Sequence, residues 1–313
     1  MSSDNIRIAV VTPVYNRREI TLQCLRSLSR INSDGLDVHV IVVDDASTDG
    51  TADAIRQEFP DVEIVAGTGD LWFTGGTNAG VRVALERDPK YVLMMNDDQV
   101  FDAEFLQSLV RTAERVPRSV VGSLLLLWDQ PHKLFQTAPV WQTWRGGWQH
   151  WAHQTVWTIP DRPWEVDLIV GNCLLVPTEA IRECGLMDER RFPNFGDAEY
   201  TPRLKRRGWR LLIDPGSRVF CQPNNIPPRV REKDLRRLFY DLFIDLKNIH
   251  SLRRRFYACV LGGPSYAKGV AAFASFLALA IAGRSAESMA VAGEQKEPPL
   301  KEVFAGAVVR DAD

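Results

Sequence analysis

Asn96-Asp97-Asp98 closes a five-residue apolar run, "YVLMM" (91–95), with two adjacent carboxylates, and Asp44-Asp45 closes another, "VHVIVV" (38–43). Neighbouring carboxylates repel one another, so they belong in a solvated turn or beside something cationic. Gathered in one crevice they would suit Mg2+ or Mn2+, which takes carboxylate oxygens and bridges them to substrate phosphates. Between the two pairs runs a glycine-rich loop, "GTGDLWFTGGTNAG" (67–80), and ahead of both lies Thr12-Pro13-Val14-Tyr15-Asn16.

These residues act together only if the fold brings them to one edge. Ile6–Thr12, Val38–Val43, Val62–Val65 and Tyr91–Met95 are apolar on successive residues, the pattern of parallel strands buried on both faces. Segments 17–30, 48–59, 74–87 and 102–115 between and after them have helical spacing. Strand-then-helix alternation predicts an α/β fold with a doubly wound, mostly parallel sheet, whose ligands bind beyond the carboxyl ends of the strands. Every loop named above follows such an end. A dinucleotide-dependent dehydrogenase is the rival reading, but no G-x-G-x-x-G follows the first strand, which ends in Thr-Pro.

A chain of 313 residues with 45% apolar and 25% charged residues is an ordinary globular protein, and its net charge of -2 offers no case for nucleic acid. Residues 229–268 are the exception, with ten Lys/Arg against four Asp/Glu. Five cysteines (24, 173, 184, 221, 259) without a C-x-x-C pair indicate neither a disulfide framework nor a zinc site, and fit a reducing, cytoplasmic setting. No secretory signal opens the sequence, and no stretch reaches the roughly 20 apolar residues needed to cross a bilayer.

"VVTPVYNR", "VIVVDDASTDGT", "GGTNAGV", "MMNDDQVF" and the long stretch from "GNCLLVP" to "IDPGSRVF" occur in the order and at the approximate spacing of the family-2 glycosyltransferases with the GT-A fold. The resemblance covers residues 6 to about 222. The Asn-x-Asp form of the metal motif resembles the branch containing bacterial rhamnosyltransferases and galactofuranosyltransferases. By this resemblance Thr12, Pro13, Tyr15, Asp45, Asn78, Gly80 and Asp97 bind a nucleotide sugar, a TDP-, UDP- or GDP-sugar. Asn78 and Gly80 would open the helix beside the donor, the glycine permitting close approach. Asn96 and Asp98 match the ends of the family's D-x-D motif, with Asp98 as the direct ligand of Mn2+ or Mg2+. Asp44 and Asp49 read instead as turn and helix-capping residues.

In "FPNFGDAEYTPRLKRRGW" the resemblance assigns Asp197 as the catalytic base, with Glu199 and Arg203 as the family's following acid and arginine. Inversion needs one carboxylate, opposite the departing diphosphate, to take the acceptor hydroxyl's proton. Two departures stand out: Gly196 replaces an acidic residue, and the histidine expected after "IDPGSRV" is absent, the chain reading Phe220-Cys221-Gln222. Cys221 is too soft for Mg2+, and Gln222 is a neutral oxygen donor.

Residues 140–164 hold six of the nine tryptophans. Trp141, Trp144 and Trp148, with Trp72 upstream, could stack on an acceptor sugar; a hairpin with aromatic cross-strand pairs is the alternative. The expected organisation is a catalytic domain, 1–228, a basic helical appendage, 229–283, and a flexible tail, 284–313. Within the appendage, 234–256 reads as one amphipathic helix, followed by the apolar 269–283. Such an appendage would rest on an anionic membrane surface, or pack on the catalytic domain or on a second subunit as a homodimer. The expected activity is an inverting, metal-dependent glycosyltransferase adding sugar to a glycan or lipid-linked glycan in surface polysaccharide synthesis. The other readings are a non-catalytic carbohydrate-binding protein with a degenerate metal site, and a nucleotidyltransferase.

Overall fold

The computed structural model describes residues 5–135, 138–149, 154–222, 235–248 and 250–282. The expected flexible tail, 284–313, lies outside them, as do residues 229–234 of the appendage. Strands β1 (Ile6–Val14), β2 (Leu36–Asp44), β3 (Glu63–Ala66) and β4 (Tyr91–Met95) alternate with helices α1 (Arg18–Leu28), α2 (Thr51–Glu58) and α3 (Trp72–Glu86). The chain continues through β5 (Gln99–Phe101), α4 (Phe105–Arg115) and β6 (Ser119–Leu127). A two-stranded hairpin, β7 (Val140–Gln142) and β8 (Gly147–Gln149), precedes β9 (Trp164–Glu165), β10 (Cys173–Pro177), α5 (Thr178–Cys184), α6 (Asp197–Arg206) and β11 (Arg210–Cys221).

Among the described residues the main sheet has nine strands, in the order β3-β2-β1-β4-β10-β6-β11-β5, with β9 on β11. β1 pairs in parallel with β2 and β4, and β6 with β11, whereas β10 runs antiparallel between β4 and β6. The doubly wound expectation therefore holds, with antiparallel insertions in the second half. Alternate residues feed two cores. Val11, Val92 and Met94 pack with Val81, Ile181 and Tyr200 on one face. Ile8, Val10 and Leu93 pack with Leu28, Phe105 and Leu109 on the other.

The appendage differs from its expectation. The described residues of 234–256 fall in two helices, α7 (Leu235–Phe243) and α8 (Leu252–Gly262), rather than one. Asp245 Oδ1 accepts from Lys247 N at 2.9 Å, and Asn248 Oδ1 from His250 N at 2.8 Å. Ser251 then caps α8 by accepting from Arg254 N. These side chains capture amides that a continuous helix would use. Helix α9 (Tyr266–Ile281) contains most of the apolar stretch, and no helix among the described residues is long and apolar enough to cross a membrane.

Candidate active site

Because β1, β2 and β4 are parallel, the loops after Val14, Asp44 and Met95 meet at one edge. Asn16 joins the first two: its Oδ1 accepts from Thr48 N at 2.7 Å, and its N–H donates to Ser47 Oγ at 2.9 Å. Asp44 accepts from Ser47 N at 2.9 Å, and Asp49 from Thr51 N at 3.1 Å, the turn and cap roles expected. Asp45 is buried, and its carboxylate accepts from the backbone of Gly69 (2.7 Å), Leu71 (2.9 Å) and Trp72 (3.2 Å). Its first task is thus to shape the glycine-rich loop. Two residues before the end of β1, the buried Thr12 hydroxyl has no hydrogen-bond partner among the described residues, an exception to the rule that buried polar groups are paired.

Arg17 dominates the acidic motif. Its Nη1 donates to Asp97 Oδ1 at 2.8 Å and its Nη2 to Asp98 Oδ2 at 2.9 Å. One guanidinium spans both carboxylates. Asp97, 4% exposed, also accepts from Thr21 Oγ1 at 2.9 Å, whereas Asp98 is 18% exposed. Burial pushes the Asp97 carboxyl up to about 6, against the pull of Arg17 and with the repulsion of Asp98. Sequence reasoning passed over Arg17. Its sign was local: a cation at the N-cap of α1 opposes the helix dipole and needs another reason to be there.

The oxygens of Asp98 and Asn96 are hard donors, which fits a divalent cation that completes its shell with diphosphate and water. They do not form a cage alone. Where a histidine was expected, Cys221 is buried, takes Gln99 Nε2 on its sulfur at 3.7 Å, and is held protonated by burial and by Asp98. Among the described residues no three of His, Cys, Asp and Glu gather as a metal-binding group.

Asp197 opens α6 and is buried, its Oδ2 accepting from Gly171 N at 2.9 Å. Burial raises its pKa against these backbone donors. The next residue, Asn172, accepts on its carbonyl from Asn96 N at 2.9 Å and Gln99 Nε2 at 2.8 Å, which ties the candidate base to the acidic motif. Gly171 is required there, since a Cβ would lie 2.8 Å from that of Asp197. Gly196, the departure from the family pattern, also has a steric cause. A Cβ at 196 would sit 2.7 Å from Thr74 Cγ2 and 3.1 Å from Met187 Sδ. Glu199 and Arg203 pair at 2.9 Å, and Arg203 also donates to the carbonyls of Cys184 and Leu186. They brace α6 against the 184–187 turn.

Asn78 and Gly80 lie within α3 and turn toward the protein instead of heading a helix at the donor. Asn78 Oδ1 accepts from Met187 N at 3.1 Å, and its Nδ2 donates to Glu189 Oε2 at 2.8 Å. The missing Cβ of Gly80 lets α3 approach the sheet, for it would lie 2.4 Å from Val11 Cγ1. Trp141 and Trp148 form the cross-strand pair of the hairpin, 5.2 Å apart and edge-on, and Trp148 Nε1 donates to Gly262 O. They are spent on packing. Trp144 is 78% exposed on the α9 side, and Trp72 lies 42% exposed at the head of α3, beneath Lys247 Nζ at 4.7 Å. Lys247 also bridges to Asp70.

Helix α8 packs on α6 and on the hairpin of β7 and β8. A Cβ at Gly262 would lie 2.2 Å from Ala198 O, beside the candidate base. Arg206 of α6 donates to the carbonyls of Leu261 (2.7 Å) and Gly263 (3.0 Å), a cation at the end of α8. A cavity of about 440 Å³ opens between Asp70, Leu71, Glu189, Tyr240 and Lys247. A wider hollow of about 890 Å³ lies at the amino ends of the strands, among Arg7, Asp37, Asp88 and Lys90, away from every motif.

Residues 9–139 match the family model of glycosyl transferase family 2. The chain is 26% identical over 205 residues to N-acetylglucosaminyl-diphospho-decaprenol L-rhamnosyltransferase of Mycobacterium tuberculosis, covering 58% of this chain and 66% of that one. It is 33% identical over 141 residues to undecaprenyl-phosphate mannosyltransferase of Micrococcus luteus, covering 42% and 57%. It therefore spans less than two thirds of either relative. GalNAc-T7, solved with UDP, GalNAc and Mn2+, shares the fold with a TM-score of 0.56 at 13% identity, over 90% of this chain and 58% of that one. The sheet is that of the GT-A fold, and the likeness to glycosyl transferase family 2 falls on residues 9–139.

Proposed function

We propose that the protein transfers a sugar, with inversion, from a nucleotide-diphosphate sugar to a hydroxyl of a lipid-linked glycan, and that the sugar is rhamnose. The observation that carries this reading is Asp197: a buried carboxylate that pairs with no cation among the described residues, linked through Gly171 and Asn172 to the acidic motif. Asp197 takes the proton of the acceptor hydroxyl as that oxygen attacks the anomeric carbon, and the diphosphate leaves on the opposite side. Thr12, Pro13, Tyr15, Asp45 and Asp97 line or shape the donor crevice, with Asp45 holding the loop through three amides. A divalent cation at Asp98 and Asn96, Mn2+ as in GalNAc-T7 or Mg2+, would stabilise charge on the leaving diphosphate.

The names of the two curated relatives, both acting on polyprenyl carriers, support a lipid-linked acceptor and synthesis of an envelope polysaccharide. Phe239, Phe243 and Ile244, all exposed on or beside α7 within the basic segment, support peripheral attachment to the cytoplasmic membrane face. The test is incubation with TDP-rhamnose and, in parallel, UDP- and GDP-sugars, with an N-acetylglucosaminyl-diphospho-polyprenol acceptor and Mn2+. Release of a nucleoside diphosphate with an inverted anomeric centre in the product is expected. Retention of configuration, or pyrophosphate as the released product, would overturn the reading.

A further inference from the structure

The acidic motif carries its own cation. Arg17 reaches it from the loop after β1, donating at 2.8 Å to Asp97 and at 2.9 Å to Asp98. The two bonds are unequal in setting. Asp97 is 4% exposed and keeps Thr21 as a second donor, whereas Asp98 is 18% exposed and Arg17 itself 38%. Breaking the Asp97 contact strands a buried charge; breaking the Asp98 contact exposes both groups to solvent. The fork can therefore open at Asp98 while it stays closed at Asp97.

A divalent cation on the other oxygen of Asp98 would stand within a few ångströms of the guanidinium held on Oδ2, and like charges repel strongly at such range. We infer that Arg17 is a resident counter-cation that a divalent ion must displace from Asp98, and that an incoming diphosphate makes this exchange favourable by accepting the freed guanidinium. A planar fork suits both partners, since guanidinium binds carboxylate and phosphate in the same bidentate way. Metal and nucleotide then bind as a coupled pair, and neither binds well alone. This role rests on the donor reading above only for its second half; the competition for Asp98 stands on the contacts themselves.

The test counts free Mn2+ by its electron paramagnetic resonance signal during titration of wild type, Arg17→Gln and Arg17→Lys, first alone and then with UDP, TDP or GDP. Arg17→Gln should bind Mn2+ alone at least about tenfold more tightly than wild type, because Asp98 is no longer occupied. With nucleoside diphosphate present the order should reverse, the variant lacking the guanidinium that meets the diphosphate. A merely structural arginine would weaken both measurements together. Arg17→Lys keeps the charge but cannot span two carboxylates, so it should show a smaller gain of the same sign, and it serves if Arg17→Gln does not fold. Equal or weaker Mn2+ binding by the folded variants, with diphosphate still bound, would overturn the competition and leave the donor reading intact. A gain in Mn2+ affinity with no nucleoside diphosphate bound by any of the three proteins would sustain the competition and count against the donor reading.

Discussion

Two acidic pairs face two arginines in this protein, and the outcomes are opposite. Arg17 takes both members of Asp97–Asp98, whereas Arg203 takes Glu199 and leaves Asp197 to a backbone amide. The first arrangement neutralises a pair; the second separates one carboxylate from its neighbour. Counting carboxylates near a crevice therefore says little about chemistry. What matters is which oxygen remains uncommitted after the cations of the fold have chosen partners. In the downstream pair that is Asp197, and in the motif it is one side of Asp98.

The largest effect should come from the uncommitted member. Asp197→Asn preserves shape and can still accept from Gly171, yet it takes no proton, so turnover should fall by about 10²–10⁴ while donor affinity stays within a few-fold. Burial holds the Asp197 pKa above the usual carboxylate range, so its proton-accepting form appears only above that range. The rising limb of kcat/KM against pH should accordingly lie above the ordinary carboxylate value of about 4 and vanish from the residual activity of Asp197→Asn. Near wild-type turnover in that variant would erase the contrast between the pairs.

Next in size is the committed member. Glu199→Gln removes the charge that Arg203 faces, and losing a charge-assisted pair at a mostly buried site should cost about 2 kcal/mol of stability. Thermal unfolding would register this as a fall of several degrees, with turnover at low temperature largely kept. A large loss of kcat without loss of stability would instead place Glu199 in the chemistry and dissolve the distinction drawn here. The smallest effect expected is from Gly171→Ala. Its new Cβ would meet the Asp197 side chain 2.8 Å from Cβ, so the carboxylate must shift, and turnover should drop roughly tenfold with nucleotide binding unchanged. Comparing kcat with nucleotide affinity in one preparation checks it.

The crevice was legible because its ingredients follow strand ends. Apolar runs without alternation marked β1, β2 and β4, and their shared direction brought Asp45 and Asn96–Asp98 together. Residues whose role depends on distant partners were not legible in this way. Gly80 looked like a ligand-facing glycine, yet it is Val11 and Val43 across the sheet that require it. Asn78 serves a turn 109 positions later in the chain. Trp141 and Trp148 carried two readings of equal standing until their pairing and the Gly262 carbonyl beside them were visible. The break between α7 and α8 was available in principle, since Asp245, Asn248 and Ser251 are all residues that divert a backbone, but apolar periodicity spoke for one helix.

The contact between Gly196 and Thr74 bears on descent as well as on form. A side chain of any size at 196 would stand 2.7 Å from Thr74 Cγ2 and 2.8 Å from its Oγ1. Thr74 lies 122 positions earlier, and the one side-chain hydrogen bond that a smaller residue would forgo at this contact is the one its Oγ1 accepts from Gly196 N. The two positions thus have a preferred order of change. Replacing Thr74 first leaves a small void, which a packed protein tolerates better than overlap, and only then can an acid enter at 196; the reverse order passes through an overpacked intermediate. A lineage that moves between the glycine and the acidic form of this loop should therefore carry its history at position 74, in the helix on the other side of the crevice.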